Sequence, residues 1–326
     1  NKAALDFLGK VHGFVCQNLN DEIIWANSMP CQVGADSDIP LARYGNSNIG
    51  RLKTIYREGL GHRYGRTMQT IAGIHFNFSL PEQFWPYYQS ICSDKQSEQE
   101  FRSQQYFGLI RNFRRHAWLL MYLFGASPAL CRSFLGDREH QLQSLDDSTL
   151  YLPYATSLRM SDLGYQNAVQ SNINICYNTL DNYIDTLDMA MRTPHRAYEE
   201  IGVEKNGKHL QLNTNILQIE NEFYGVIRPK RVIQAGEKPL QALRRAGLEY
   251  VEVRCIDINP FLPIGMDEAQ ANFLDTFLIA CLLNDSPDIS AEECQQLEQN
   301  QALSVTQGRD PALKLFRGEQ TVSLQD

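Results

Sequence analysis

The segment AGIHFNFSL, residues 72–80, decides how this chain folds, because apolar and polar side chains alternate along it. Phe76 and Phe78 point to one side, and His75 and Asn77 point to the other. A period of two residues is typical of a β-strand that has one core side and one polar side. We therefore predict a strand whose polar face is available for a functional site.

The same division recurs farther along the chain, in residues 248–257. Val251 and Val253 share one face, while Glu252 and Arg254 share the opposite face. This pattern predicts a second strand with a core side and a polar side.

A third alternating segment, residues 216–224, places Leu217 and Ile219 on one side and Gln218 and Glu220 on the other. We predict a strand here too. Strands and helices do not alternate regularly along the chain, so the α+β class with an antiparallel sheet is favoured over a doubly wound parallel sheet.

Apolar residues recur at helical spacing in several other segments. They predict helices over residues 4–15, 110–124, 180–191 and 267–281. Gly125 ends the second helix, and Asp267 caps the fourth with Gln270 at the capping-box position. The polar, Gln/Glu-rich run that ends at Asn300 predicts a solvated helix.

The composition of the chain excludes some classes of protein. The chain has 326 residues, 43% of them hydrophobic, and a net charge of −8, so a nucleic-acid binder is not expected. No run of roughly 18 apolar residues suggests a membrane helix. Eight scattered cysteines without a CxxC pair are interpreted as reduced thiols of a cytoplasmic protein. Because the chain begins at Asn1 rather than Met, we interpret it as truncated.

His75 lies on the polar face of its predicted strand, among small or polar neighbours. An imidazole in such surroundings can ligate a metal ion. A structural histidine is the alternative, and taken alone it is favoured because one strand supplies no second ligand.

Glu252 and Arg254 are two residues apart on one strand face and therefore project side by side. A carboxylate for a divalent cation next to a guanidinium for a phosphoryl oxygen suits Mg-nucleotide chemistry. An ion pair on a solvated face is the alternative. Asn77 shares the polar face of the first strand and is predicted to contact the nucleotide.

Two loop regions combine tyrosines and arginines with glycine, serine or proline: residues 56–65 and residues 151–165. Such loops can hold an α-carboxylate, or they can simply fix turns. The dense basic run at residues 228–231 is interpreted as a solvated turn rather than a phosphate contact. No P-loop or dinucleotide-binding glycine motif occurs.

Several longer segments, in this order, resemble the proteobacterial glutamate–cysteine ligase family. They are SMPC (28–31), ARYGNSNIGRLKTIYREGL (42–60), RYGRTMQTIAGIHFNFSLP (63–81), YLFGASPALC (122–131), YLPYATSLRMSDLGY (151–165), LQIENEFYGVIRPKR (217–231) and GLEYVEVRCIDINPF (247–261). The resemblance covers about residues 1–290. It implies a partial catalytic domain over residues 1–290, followed by residues 291–326 as the start of a C-terminal region.

The resemblance implies a glutamine-synthetase-like fold, in which a curved antiparallel sheet with flanking helices carries substrates on its polar face. It also implies an ATP-dependent enzyme that joins the γ-carboxylate of L-glutamate to the amine of L-cysteine, the first step of glutathione biosynthesis. Mg²⁺ or Mn²⁺ is the implied cofactor and ATP the co-substrate. We expect a cytoplasmic monomer that binds no nucleic acid and no membrane.

Individual roles follow from the positions that match the family. His75 and Glu252 match metal ligands, and Arg254 matches the arginine that contacts the transferred phosphoryl group. The amino-acid pockets are implied to be lined by Tyr56, Arg57, Leu60, Gln69, Arg159, Tyr165 and Tyr224. The family's other metal-binding carboxylates precede the present Asn1, so this chain by itself is expected to be inactive. A related γ-glutamyl ligase with another amine acceptor and a non-catalytic binding relative are the alternatives.

Overall fold

The computed structural model describes residues 1–164, 169, 173 and 175–324. The helices in this part of the chain are α1 (Lys2–Asn18), α2 (Asn48–Tyr64), α3 (Phe84–Ile91), α4 (Glu98–Phe124), α5 (Arg132–Leu135), α6 (Leu180–Arg192), α7 (Arg196–Ile201), α8 (Pro239–Ala246), α9 (Glu268–Leu283) and α10 (Ala291–Gln307). The strands are β1 (Ile74–Phe78), β2 (Ala129–Cys131), β3 (Gln143–Ser144), β4 (Thr149–Tyr151), β5 (Glu204–Lys205), β6 (Lys208–His209), β7 (Ile227–Lys230), β8 (Tyr250–Ile256), β9 (Lys314–Arg317) and β10 (Gln320–Ser323).

The sheet that carries the polar face has the order β1-β8-β7, and both of its pairings are antiparallel. Strands β1 and β8 coincide with the two strands predicted from residues 72–80 and 248–257. Val251 and Val253 of β8 are fully buried, as the alternation predicted. The α+β class with an antiparallel sheet is therefore confirmed.

The third predicted strand, residues 216–224, is wrong. This segment is a loop with a 3₁₀ turn at Glu220–Glu222, and strand β7 begins only at Ile227. The Glu222 carboxylate accepts a hydrogen bond of 2.6 Å from the backbone N–H of Gln218, four residues earlier. That bond folds the chain back on itself, so the alternation of polar and apolar residues reflects a buried turn rather than a strand.

The predicted helices are present, and helix α4 forms the centre of the main core. Ser97 and Glu100 form a capping box at its start, and Gly125 follows its last residue. Helices α9 and α10 pack against α4. At the start of α9, Asp267 accepts a 2.8 Å hydrogen bond from the N–H of Gln270, as predicted.

A smaller core lies around the three-stranded sheet β2-β4-β3. Cys131, the last residue of β2, forms a disulfide with Cys31 across a Cα–Cα distance of 5.0 Å. The interpretation of all eight cysteines as free thiols was therefore wrong for these two. A separation of 100 residues in sequence gave no sign that the fold brings them together.

Within the described residues, every helix is too short or too polar to cross a lipid bilayer.

Candidate functional site

Three polar residues form a row across the main sheet. Glu252 of β8 lies opposite Asn77 of β1 on one side and opposite Arg228 of β7 on the other. Residues directly opposite in antiparallel strands project from the same face. Asn77 is exposed, whereas Glu252 and Arg228 are buried. The polar face is thus open at the β1 edge and covered at the β7 edge.

Glu252 is the hub of charged contacts on this face. Its carboxylate lies 3.1 Å from Nη1 of Arg254, 3.6 Å from Nζ of Lys230 and 3.5 Å from Nδ1 of His75. Burial favours the protonated acid, but the hydrogen bond from His75 and the charges of Lys230 and Arg254 lower the pKa of Glu252 to about 2. The carboxylate is therefore ionised at neutral pH.

The strand register shifts beside this hub. Ile74 pairs with Ile256, and Phe76 pairs with Val253. Between these two pairs β8 advances by three residues, whereas β1 advances by two. An extra residue of this kind kinks a strand and re-aims its side chains. The irregularity lies next to His75, the predicted metal ligand.

A cavity of about 60 Å³ opens beside the polar face, between helix α2 and the loop that precedes β7. Its walls contain aromatic, apolar and charged groups. They are Tyr56, Leu60, Tyr64, Gly65, Met68, Gln69, Asn221, Glu222, Tyr224, Arg228 and Arg254. A concave site with apolar walls and a few converging polar groups suits a small polar molecule.

Most of the predicted pocket residues meet at this cavity. Tyr56, Leu60, Gln69 and Tyr224 line it, together with Arg254, which was predicted to contact the phosphoryl group. They come from helix α2, the segment that follows it, the loop before β7, and β8. The structure thus brings together residues that are up to 198 positions apart in sequence.

Three other predicted site residues, Arg57, His75 and Asn77, do not line the cavity. Arg57 is paired with Gln69, whose Nε2 donates to the Arg57 carbonyl at 3.2 Å. His75 and Asn77 stand on the open part of the polar face. Tyr165 lies outside the described residues. A role for these four in binding stays a prediction.

Arg159 lies behind the cavity rather than on its wall. Its Nε donates to Asp257 at 2.6 Å, and its Nη1 donates to the Tyr224 hydroxyl at 3.3 Å. The side chain is almost fully buried. In this arrangement Arg159 holds Tyr224 in place, and a direct contact with an amino acid stays a prediction.

Gly73 makes this position of Arg159 possible. A Cβ atom at residue 73 would lie 2.8 Å from Nη1 of Arg159. That separation is well inside ordinary contact distance, so only glycine leaves room for the guanidinium next to β1.

A buried network beside the cavity was not predicted from the sequence. Arg63 donates to Glu222 at 3.2 Å, and the Tyr64 hydroxyl donates to the same carboxylate oxygen at 2.6 Å. Arg63 also donates to the backbone carbonyls of Asn213 and Asn215. The network ties the end of α2 to the loop that forms the opposite cavity wall.

The interpretation of residues 228–231 as a solvated turn was wrong. Arg228 and Lys230 belong to strand β7, and Arg228 is only 5% exposed. The loop before β7 covers this end of the sheet, so a basic run that looks exposed in sequence is largely enclosed. Burial and the charge of Arg254 lower the pKa of Arg228 from its ordinary value.

His75 and Glu252 supply one nitrogen and one carboxylate that fit a divalent cation. Among the described residues, no group of three or more His, Cys, Asp or Glu side chains comes close enough to hold a metal ion. Mg²⁺ requires a nearly complete shell of oxygen ligands. The two residues therefore fit part of a metal site, and further donors would have to complete it.

Comparison with known proteins identifies the family of this chain. The sequence model of the family described as glutamate-cysteine ligase matches residues 1–303. The chain is 56% identical over 322 residues to the glutamate–cysteine ligase of Pseudomonas putida and 56% identical over 325 residues to that of Azotobacter vinelandii. It belongs to the glutamate–cysteine ligase family.

A solved structure of a family member supports the fold. The glutamate–cysteine ligase of Francisella tularensis, crystallised in complex with AMP, superimposes with a TM-score of 0.93 at 38% sequence identity. This match covers 99% of the present chain and 64% of the Francisella chain. Each of the two sequence alignments includes 99% of the present chain but only 61% of the relative. It therefore spans about three fifths of the glutamate–cysteine ligases that it resembles.

Proposed function

We propose that the protein containing this chain is a glutamate–cysteine ligase that joins the γ-carboxylate of L-glutamate to the amine of L-cysteine and converts ATP to ADP and phosphate. One structural observation carries the proposal. Arg254 and Glu252, which suit phosphoryl chemistry, lie beside a cavity lined by the residues that match the family's amino-acid pockets. Family membership and the AMP complex of the Francisella relative support the use of ATP.

The chemistry requires an activated acyl group, because a carboxylate is a poor acyl donor. An oxygen of the glutamate γ-carboxylate attacks the γ-phosphorus of ATP, and ADP departs. The cysteine amine then attacks the acyl carbon of the γ-glutamyl phosphate, loses a proton and expels phosphate. Both steps depend on positioning and charge stabilisation rather than on covalent bonds to the protein.

Residues of the cavity and of the neighbouring polar face have separate tasks in this scheme. The planar guanidinium of Arg254, held at 3.1 Å by Glu252, faces the charge that develops on the phosphoryl group. The Tyr224 ring, over which the Arg254 guanidinium lies, and the Tyr56 side chain enclose the amino acid and exclude water. His75 and Glu252 would contribute to the binding of Mg²⁺, which neutralises phosphate oxygens when it is bound.

An ADP-release assay on the full-length protein tests this function. ADP should form only when both L-glutamate and L-cysteine are present, and γ-glutamylcysteine should accumulate in equal amount. A panel of cysteine, alanine, glycine and ammonia distinguishes the first alternative, a γ-glutamyl ligase with another acceptor. Absence of turnover with every acceptor, together with binding of ATP or amino acid, would favour the second alternative, a binding protein.

Several finer expectations remain proposals. Mg²⁺ or Mn²⁺ as the metal ion can be tested by restoring activity to chelator-treated protein with each ion. Sedimentation velocity would test the monomer, and fractionation of cells would test the cytoplasmic location. The domain boundary at residue 290 also stays a prediction, although α10 packs on α4 and on the β9 strand.

A further inference from the structure

Asp257 is a buried carboxylate to which the proposed reaction assigns no task. It directly follows strand β8, and its side chain is 0% exposed. Its Oδ1 accepts hydrogen bonds from Nε of Arg159 at 2.6 Å and from the Ser157 hydroxyl at 3.1 Å. Its Oδ2 accepts from the Ser127 hydroxyl at 2.7 Å and from the N–H of Ala126 at 2.9 Å. A carboxylate can accept about four hydrogen bonds, so this one is fully engaged and held in place.

These bonds join three parts of the chain. Ser127 lies just after helix α4, Ser157 precedes the 3₁₀ turn that carries Arg159, and Asp257 follows β8. The N–H of Leu158 also donates to the Ser127 carbonyl at 2.6 Å, which ties the first two parts together. The anchor of the Arg159 side chain is therefore built by segments outside the cavity wall.

The other N–H groups of Arg159 contact two residues that line the cavity. Nη1 donates to the Tyr224 hydroxyl at 3.3 Å, and both Nη1 and Nη2 donate to the backbone carbonyl of Arg254 at 3.4 Å. A guanidinium is planar and rigid, so the bond between its Nε and Asp257 also sets the direction of its other donors. Arg159 thus connects the buried carboxylate to the arginine that faces the phosphoryl group in the proposed scheme.

The guanidinium of Arg254 depends on these neighbours for its direction. Its Nη1 donates to Glu252 at 3.1 Å, and its Cζ lies 5.5 Å from the centre of the Tyr224 ring. Its Nε is buried and has no hydrogen-bond partner within the described part of the chain. The position of the Tyr224 ring and of the β8 backbone therefore matters for this group, and Arg159 contacts both of them.

Two glycines leave room for Arg159. A Cβ atom at Gly73 would lie 2.8 Å from Nη1 of Arg159, and one at Gly164 would overlap the Arg159 backbone carbonyl. Neither position accepts a larger residue without moving the arginine. The chain is thus built to hold this side chain in one place.

We propose that Asp257 is a positioning residue for phosphoryl transfer. It fixes Arg159, which holds Tyr224 and the backbone of Arg254 and so directs the Arg254 guanidinium at the transferred group. This inference rests on the proposed ligase function, and it requires no contact between Asp257 and a substrate. A group that stabilises developing charge must lie where that charge appears, so a small displacement removes much of its effect.

The test compares two replacements of an acid by its amide in full-length protein. In Asp257→Asn, kcat should fall about 10–100-fold, while the dissociation constant of ATP should stay within about threefold of the wild-type value. Glu293→Gln is the matched control. Glu293 also accepts from an arginine Nε at 2.6 Å, that of Arg115, but it does not line the cavity. Its replacement should change kcat by less than about threefold.

A double-mutant cycle shows whether Asp257 acts through Arg159. The single variant Arg159→Gln and the double variant with Asp257→Asn should have the same kcat within about threefold, because no guanidinium is left for the carboxylate to position. Two effects that multiply would overturn the inference. So would a change confined to the KM of an amino acid, which would indicate direct contact of Arg159 with that substrate instead.

Ser127→Ala keeps the test open if Asp257→Asn does not fold. It removes one hydrogen bond from Asp257 but keeps the ion pair with Arg159, so kcat should fall about two- to tenfold without a change in ATP affinity. A wild-type kcat together with a lower free energy of unfolding would show that the anchor is purely structural.

Hydrogen exchange separates failure of this inference from failure of the proposed function. Peptides that contain Tyr224 and Arg254 should exchange faster in Asp257→Asn than in Glu293→Gln, whether or not the protein turns over. This pattern in a protein that forms no γ-glutamylcysteine would contradict the ligase function alone. Product formation by Asp257→Asn at the wild-type rate would contradict the role of Asp257 alone.

Discussion

Arg63 and Glu222 form a buried ion pair with 3.2 Å between Nη1 and Oε1, although 159 residues separate them in the sequence. Their side chains are 0% and 1% exposed. The pair connects the end of helix α2 with the loop that carries Asn221 and Tyr224. Both cavity walls therefore depend on it, even though neither residue was identified from the sequence.

Replacing Arg63 by Met should destabilise the protein by about 3–5 kcal/mol, because the Glu222 carboxylate would remain buried without its cation. Urea denaturation followed by circular dichroism measures the change in free energy of unfolding. The control is Arg196→Met, which breaks the exposed pair with Glu200 and should cost less than about 0.5 kcal/mol. Equal effects of the two variants would show that the buried pair has no special structural role.

Replacing Arg254 by Lys in the full-length protein should lower kcat by about 10²–10³ while nucleotide affinity is largely kept. Lysine preserves the charge but lacks the planar guanidinium, which in Arg254 contacts Glu252 and lines the cavity. Single-turnover kinetics and a nucleotide-binding assay measure the two quantities separately. Arg245→Lys, in an exposed pair with Glu237, should leave both unchanged. Unaltered turnover in Arg254→Lys would contradict the phosphoryl role.

Replacing Gly73 by Ala should destabilise the protein by about 1–3 kcal/mol, because the new methyl group would displace the Arg159 guanidinium from Asp257 and Tyr224. Gly9→Ala is the matched control. Gly9 lies within helix α1 with no atom within 4 Å of an added Cβ, so alanine there should stabilise by up to about 1 kcal/mol. Opposite signs in urea denaturation are the expected result, and a neutral Gly73→Ala would refute the close approach of Arg159.

The 326-residue chain by itself should bind Mg²⁺ only weakly and release no ADP, because among its described residues His75 and Glu252 supply two donors where the ion needs about six. The full-length protein should bind Mg²⁺ more tightly, and Glu252→Gln should weaken that binding. Glu204→Gln is the control, since Glu204 pairs with His209 in an exposed hairpin. Glutamate- and cysteine-dependent ADP release from the 326-residue chain would contradict this prediction.

The sequence was sufficient for those parts of the fold in which local periodicity and burial agree. Strands β1 and β8 and helices α4 and α9 were predicted because each has one face in the core, and their caps at Gly125 and Asp267 are local signals. The same reasoning gave a wrong strand prediction for residues 216–224. Their alternation arises from the Glu222 turn, and periodicity cannot distinguish a buried turn from a strand.

The site was predictable only as far as the resemblance extended. Tyr56, Leu60, Gln69, Tyr224 and Arg254 do meet at one cavity, but no spacing rule shows that α2 and β8 converge. The prediction for Arg228 was wrong because a run of basic residues usually indicates a segment that is exposed to solvent. Its burial depends on the loop that Arg63 and Glu222 hold in place, which is a long-range contact that composition does not encode.

The pairing of β7 with β8 has a consequence for how this site could vary. Ile227 and Pro229 alternate with Arg228, and they lie opposite Val253 and Val251 in the core. Inserting or deleting one residue within β7 would exchange the two faces, so that the guanidinium would enter the apolar core and a hydrophobic side chain would face Glu252. The number of residues within β7 is therefore as much a part of the site as the residues themselves, and substitutions should be tolerated there far better than changes in length.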